Sequence, residues 1–273
     1  MATVSDTSPE AQRVLTEVYR RMSPGKKWLI LGETFAAAKA LHAAGIRYRN
    51  PGATAEEIHA SWLYDQLGVP RVHPIAKPPA ERPMQGLRDL REVLAVFTRL
   101  DIPYALGGSM ASSVYGVARY TQDADVMVEP FPGQEEDLMA SFGPDYYLGL
   151  LAIQQANRDR SSFNIINTAT GFKVDVFVRQ EAPFEEAAMK RRVPMDFPDA
   201  PGDPVFLLSP EDVLLFKLRW FRLGNETSDR QWADILGVLR MQAGKLDDAY
   251  LNHWSLSLQV DDLLRRARQE SGA

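Results

Sequence analysis

Cysteine is absent from the 273 residues, which excludes disulfides and thiolate metal sites, zinc ribbons among them. Net positive charge is lacking too: 31 Lys and Arg face 36 Asp and Glu, a formal charge of -5. The overall basic footprint of a nucleic-acid binder is therefore missing, although a local patch is not excluded by a net charge. The four histidines, His42, His59, His73 and His253, are scattered with no two at a ligand spacing on one element, and read as structural or surface residues. No apolar run approaches the roughly 18 residues of a membrane helix. The opening "MATVSDTSPE" is polar and acidic, unlike a signal peptide. The expectation is a soluble, cytoplasmic protein with no membrane partner. Repeats and low-complexity segments are also lacking.

What is present is an ordinary globular composition, 45% hydrophobic and 25% charged. Residues 1–75 read as a helical N-terminal module. "SPEAQRVLTEVYRRM" has an amphipathic spacing at Val14, Leu15, Val18 and Met22. Ser23-Pro24 is a cap and first-turn pair for a second helix expected to stop at Gly45. Thr54 and Glu57 form a capping box for a third. The segment "PIAKPPAERP", residues 74–83, holds four prolines, so a linker is placed at 76–84. Residues 85–200 mix helices with short strands, including a hairpin in "FNIINTATGFKVDVFV". Residues 201–273 form a helical C-terminal subdomain, with Ser209-Pro210 and Ser228 as caps and Gln231 at a capping-box position. Trp220, Trp232 and Trp254 lie among aliphatics and are expected in its core.

The chemistry concentrates in "GGSMASSVYGVARYTQDADVMVEP", residues 107–130. Side chains at i and i+2 of a strand share a face, so Asp123 and Asp125 point one way while Ala124, Val126 and Val128 fill the other. Two close carboxylates repel unless a cation or water reaches them, and magnesium commonly takes one or two carboxylates plus substrate phosphates. A solvated strand end is the plainer reading of "DAD" alone. In "GFKVDVFVRQ", Phe172, Val174, Val176 and Val178 form an apolar face, and Asp175 lies opposite, flanked by Lys173 and Phe177. If the two strands are neighbours, three carboxylates converge, as a two-metal phosphoryl-transfer site requires. Gly107-Gly108-Ser109 precedes a helix, where glycine permits close backbone approach and the free N–H groups favour phosphate.

Taken together, "LGGSMASSVYGVARYTQDADVMV" and the later "VDV" resemble the nucleotidyltransferase superfamily of DNA polymerase β and the minimal nucleotidyltransferases. The nearest pattern is that of the bacterial branch containing the AbiEii/AbiGii-type toxins. The resemblance implies an α+β fold, a nucleotidyltransferase-fold mixed sheet with flanking helices. It implies metal binding by Asp123, Asp125 and Asp175, with Asp175 also activating the attacking hydroxyl. Gly107, Gly108 and Ser109 would grip the triphosphate, and Arg119, Thr121, Lys217 and Asp234 would complete the nucleotide site. For Arg119 a salt bridge to Asp123 or a neighbouring acid stands beside the phosphate contact. Lys217 reads equally as a solvated surface lysine, and Asp234 as a structural partner of Lys217 or Arg230. Gln231 stands where an acid is common in the branch.

The implied activity is Mg2+- or Mn2+-dependent transfer of an NMP from an NTP to an acceptor hydroxyl, on tRNA or protein. The alternative is a non-catalytic nucleotide-binding or toxin–antitoxin protein with a cognate protein partner. Arg158, Arg160, Lys190, Arg191 and Arg192 offer a basic rim for RNA, or simply a solvated surface. Helix-turn-helix DNA binding by "GATAEEIHASWLYDQLG" is disfavoured, because Glu56, Glu57 and Asp65 would repel phosphates; docking a partner or covering the site suits that segment better.

Overall fold

The structure is a computed structural model and describes residues 9–67, 84–197 and 200–272. The proline-rich segment 74–83, expected as a linker, lies outside the described residues, as does His73. Helix α1 (Pro9–Arg21) leads to α2 (Pro24–Arg49), which begins as expected: the Lys26 N–H donates to Ser23 Oγ at 3.2 Å and Pro24 fills the first turn. The expected stop at Gly45 is not used. Only its own helix's Arg49 approaches a Cβ there, so the helix continues past Gly45. It ends at Asn50, whose N–H reaches Ile46 O at 2.8 Å ahead of Pro51, which biases its predecessor away from helix. Helix α3 (Ala55–Leu67) opens with the complete capping box: Thr54 N–H donates to Glu57 Oε2 at 2.9 Å, and Glu57 N–H to Thr54 Oγ1 at 3.2 Å.

The central part runs α4 (Gln85–Arg99), β1 (Tyr104–Leu106), α5 (Gly108–Tyr115), β2 (Asp123–Val128), α6 (Glu135–Ala140), β3 (Tyr146–Tyr147) and α7 (Leu150–Asp159). It continues through the hairpin β4 (Ser162–Asn167) and β5 (Lys173–Val178), then α8 (Pro183–Lys190) and the pair β6 (Val193–Phe197) and β7 (Ala200–Leu207). Four helices follow: α9 (Pro210–Leu223), α10 (Asp229–Met241), α11 (Asp248–Ser257) and α12 (Asp261–Ser271). The seven strands make one mixed sheet in the order β3-β4-β5-β2-β1-β7-β6. β2 and β5 pair in parallel at its centre, and β1 joins β2 antiparallel. The chain thus forms the α+β mixed sheet with flanking helices that its sequence leads one to expect.

Alternation does the sorting of faces. Ala124, Val126 and Val128 of β2 and Val174, Val176 and Val178 of β5 are buried together, with Leu90, Leu94 and Phe97 of α4 in the same core. The N-terminal helices join that core. Trp28 of α2 lies 5.1 Å from Phe197 of β6 between ring centres, and Phe35 meets Phe172 and Trp62 edge-on. Among the described residues α2 alone is long and apolar enough to cross a membrane, contrary to the expectation of no such run; its Trp28, Leu31 and Phe35 are buried in the protein core.

Of the three tryptophans expected in the C-terminal core, Trp232 is buried and stacks on Phe221 at 5.0 Å, and Trp254 is partly buried. Trp220 is exposed, because Phe221, one residue on around α9, takes the inward face. At α10 only half of the expected box forms: Gln231 N–H donates to Ser228 Oγ at 3.3 Å, while Gln231 Oε1 has no partner among the described residues.

The turn that delivers Asp175 is pinned by a buried acid. Asp89, 1% exposed, accepts from Thr170 Oγ1 at 2.7 Å, Gln85 Nε2 at 2.8 Å and Asn167 Nδ2 at 3.3 Å. Trp62 Nε1 of α3 donates to Thr170 O at 3.2 Å, and Leu63 packs against Gly171 at φ +78°. Asp89→Ala strands three donors in a buried place and is expected to cost about 2–4 kcal/mol, read as a lowered midpoint in urea unfolding.

Candidate active site

Strand register brings the acids together. Asp125 sits directly across from Asp175, and Asp123 across from Lys173, on the parallel pair β2–β5. The apolar alternation of both strands turns these polar side chains to the opposite face from the core, partly exposed. The convergence expected from sequence is therefore present, and β5 is a central strand rather than an edge.

Gly107 and Gly108 bring the chain against Asp125. Gly107 N–H donates to Asp125 O at 2.8 Å as β1 ends. Gly108 adopts φ +54° to begin α5, and a Cβ placed there would fall 1.7 Å from Asp125 Oδ2. The start of α5 therefore stands against the Asp125 carboxylate, whose charge the Ser109 backbone N–H helps to favour. Thr121, buried, directs its hydroxyl to the carbonyl and carboxylate oxygens of Asp123, each at 3.3 Å.

A second group closes the site from the helical side. Arg119 grips Asp234 with two donors, Nε to Oδ1 at 2.7 Å and Nη2 to Oδ2 at 2.6 Å, and Nη2 also donates to Ser109 Oγ at 2.8 Å. Lys217 Nζ donates to Asp234 Oδ2 at 2.8 Å. Asp234 on α10 thus ties α9 to the turn after β1. Lys217 is buried, which removes the reading of a solvated surface lysine. Arg119 chooses Asp234 over Asp123, and Asp234 chooses Lys217 and Arg119 over Arg230. Burial raises the Asp234 carboxyl, but the Arg119 hydrogen bonds and the Lys217 and Arg119 charges outweigh it and hold it below its ordinary value.

Asp125 is the electrostatically uncomfortable member. Burial first, then the charges of Asp123 and Asp175, push its carboxyl up to about 6, against the Lys217 charge and the Ser109 N–H. A partly buried carboxylate facing two others is a place that favours a cation.

Asp175 is differently placed. Its Oδ2 lies 2.8 Å from Lys173 Nζ, and its Oδ1 accepts from Asn164 Nδ2 on β4. Lys173 Nζ also lies 3.8 Å from Asp123 Oδ2. Burial works against the Lys173 charge, but the hydrogen bond and charge of Asp175, with the charges of Asp123 and Asp125, hold the ammonium above its ordinary pKa. Among the described residues no group of three or more carboxylates or histidines is arranged to hold a metal ion. Both Asp175 oxygens have protein partners, Lys173 and Asn164, whereas Asp123 and Asp125 lie side by side on β2. Asp123 and Asp125 place hard oxygen donors on one strand face, a donor set that fits a divalent cation.

Lys173 and Asn164 carry no role in the sequence reading. The signal for Lys173 was available in the period of the strand, since i and i+2 share a face; Asn164 needed the hairpin register, which places it across from Asp175. The proposed basic rim does not stand free: Arg158 pairs with Asp159, Arg160 with Glu181, Lys190 with Glu186, and Arg191 with Glu211 while lying over the Tyr250 ring. Arg192 lies over Phe206 and donates to Met189 O. The described histidines keep to structural or surface places: His42 lies 3.1 Å from Asp65, His59 is buried, and the exposed His253 packs on Trp254.

No family model and no curated protein matches the chain. Solved structures do. The antibiotic-resistance factor ANT(2'')-Ia is 14% identical over 66% of this chain and 92% of its own, with a TM-score of 0.36. An antigenic nucleotidyltransferase-like protein from Paracoccidioides brasiliensis is 20% identical over 67% of this chain and 92% of its own, with a TM-score of 0.42.

Proposed function

We propose that the chain is a nucleotidyltransferase that moves an NMP from an NTP to an acceptor hydroxyl on RNA or protein, with Mg2+ or Mn2+ as cofactor. The observation that carries this is the register match of Asp125 with Asp175 beside a Gly108–Ser109 turn too close to Asp125 to admit a Cβ. When bound, a divalent ion supplies neutralisation of phosphate charge at Asp123 and Asp125. The remaining work falls to the chain. The N–H groups that open α5 and the Ser109 hydroxyl bind the phosphates, and Lys217 and Arg119, held by Asp234, face their charge. Asp175, oriented by Lys173 and Asn164, retains lone pairs and takes the proton of the attacking hydroxyl. The acceptor oxygen bonds to the α-phosphorus, the bond to the β-phosphate's bridging oxygen breaks, and pyrophosphate leaves. The catalysis is positioning and charge stabilisation.

The engagement of both Asp175 oxygens is the feature that favours the second reading, a non-catalytic nucleotide-binding or toxin–antitoxin protein on the same fold. Incubation of the purified chain with each α-labelled NTP, Mg2+ or Mn2+, and total RNA or cell lysate separates the two. Label in RNA or in protein is expected; nucleotide binding with no transferred label in any fraction would establish the second reading instead.

A further inference from the structure

The third acid's partners point to a cation that belongs to the chain itself. Lys173 stands across from Asp123 in the strand register and two residues before Asp175, so its side chain leaves the sheet on the face of the three acids. Its Nζ reaches between two of them, 2.8 Å from Asp175 Oδ2 and 3.8 Å from Asp123 Oδ2. That is the span a divalent ion would bridge, and an ammonium is a compact point charge able to take its place. Asn164 from the neighbouring strand secures the other Asp175 oxygen, so this carboxylate is held by the protein from both sides. Lys217, the other nearby lysine, is already paired with Asp234 at 2.8 Å.

We propose that Lys173 is a resident counter-ion that replaces the second divalent cation of a two-metal site, so that the chain takes up a single divalent ion, on Asp123 and Asp125. The inference rests on the nucleotidyl-transfer reading and specifies its metal count. Three carboxylates less one ammonium leave two negative charges, which one divalent ion neutralises. A second ion would have to displace the ammonium from Asp175 and bring excess positive charge against it. Lys173 is then a positioning residue, and Asp175 a protein-held base rather than a metal ligand.

Mn2+ binding to the full chain, counted by loss of the free-ion electron paramagnetic resonance signal, tests this without any turnover. The wild-type chain is expected to bind one ion, Lys173→Met two, and the charge-keeping Lys173→Arg one. Lys173→Gln provides the neutral variant if the methionine form fails to fold, as judged by circular dichroism. Two ions on the wild-type chain, or one on every folded variant, would overturn the counter-ion role alone. No ion on any of them would remove the metal-dependent reading itself and the inference with it.

Discussion

Asp125→Asn is expected to abolish nucleotide transfer and to make the protein more stable. The carboxylate faces Asp123 and Asp175 in a partly buried position, and its pKa of about 6 in the fold stands above its ordinary value of 3.8. An acid raised by folding favours the folded state most while it is protonated, below about pH 4, and that contribution is lost as pH rises through about 6. Near pH 7 the wild-type chain carries the full penalty. The amide removes it, and after discounting for solvent the gain is about 1–2 kcal/mol. A melting temperature raised by several degrees at pH 7–8, with the difference from wild type shrinking towards pH 4, is the expected result. Activity is expected to fall by on the order of 10³-fold or more, because a neutral amide cannot balance a cation beside the phosphates. A variant both fully active and less stable at pH 7 would remove Asp125 from the site.

Gly108→Ala is expected to be the most damaging small substitution. The position combines φ +54°, which costs an L-residue strain, with a Cβ that would fall 1.7 Å from Asp125 Oδ2 and 2.5 Å from its Cγ. Neither collision is with the far end of a long flexible side chain. Asp125 must move, and its own strand is locked on both sides by β1 and β5. The expected cost is about 2–4 kcal/mol in urea unfolding, with loss of NTP binding because the turn and Asp125 can no longer approach. Gly133 has a similar positive φ but open space around it, so Gly133→Ala provides the control: backbone strain without collision, and NTP binding retained.

Much of this was legible from residue order because strand period and turn chemistry are local. The faces of β2 and β5, the Ser23, Thr54 and Ser209 caps and the hairpin all followed from neighbours a few positions apart. What was illegible depends on which elements meet. That Lys217 is buried rather than solvated is decided by α10 bringing Asp234 to it. The choice of Arg119 for Asp234 over Asp123 needs the same helix in place. Gly45 misled because a glycine punctuates a helix only where the chain turns left-handed, and here it does not. Trp220 misled because one residue's step around α9 moves an aromatic from core to solvent. The occupation of Asp175 needed the hairpin and the parallel pairing at once, two different strands supplying Asn164 and the setting for Lys173.

The parallel seam between β2 and β5 has a temporal consequence. Its two strands are separated along the chain by α6, α7, β3 and β4, so no hairpin can assemble it. Such contacts close late, after the entropy of a long loop has been surrendered. During biosynthesis the Asp123–Asp125 strand emerges before the hairpin that carries Asp175, so the three acids can meet only once that hairpin has docked.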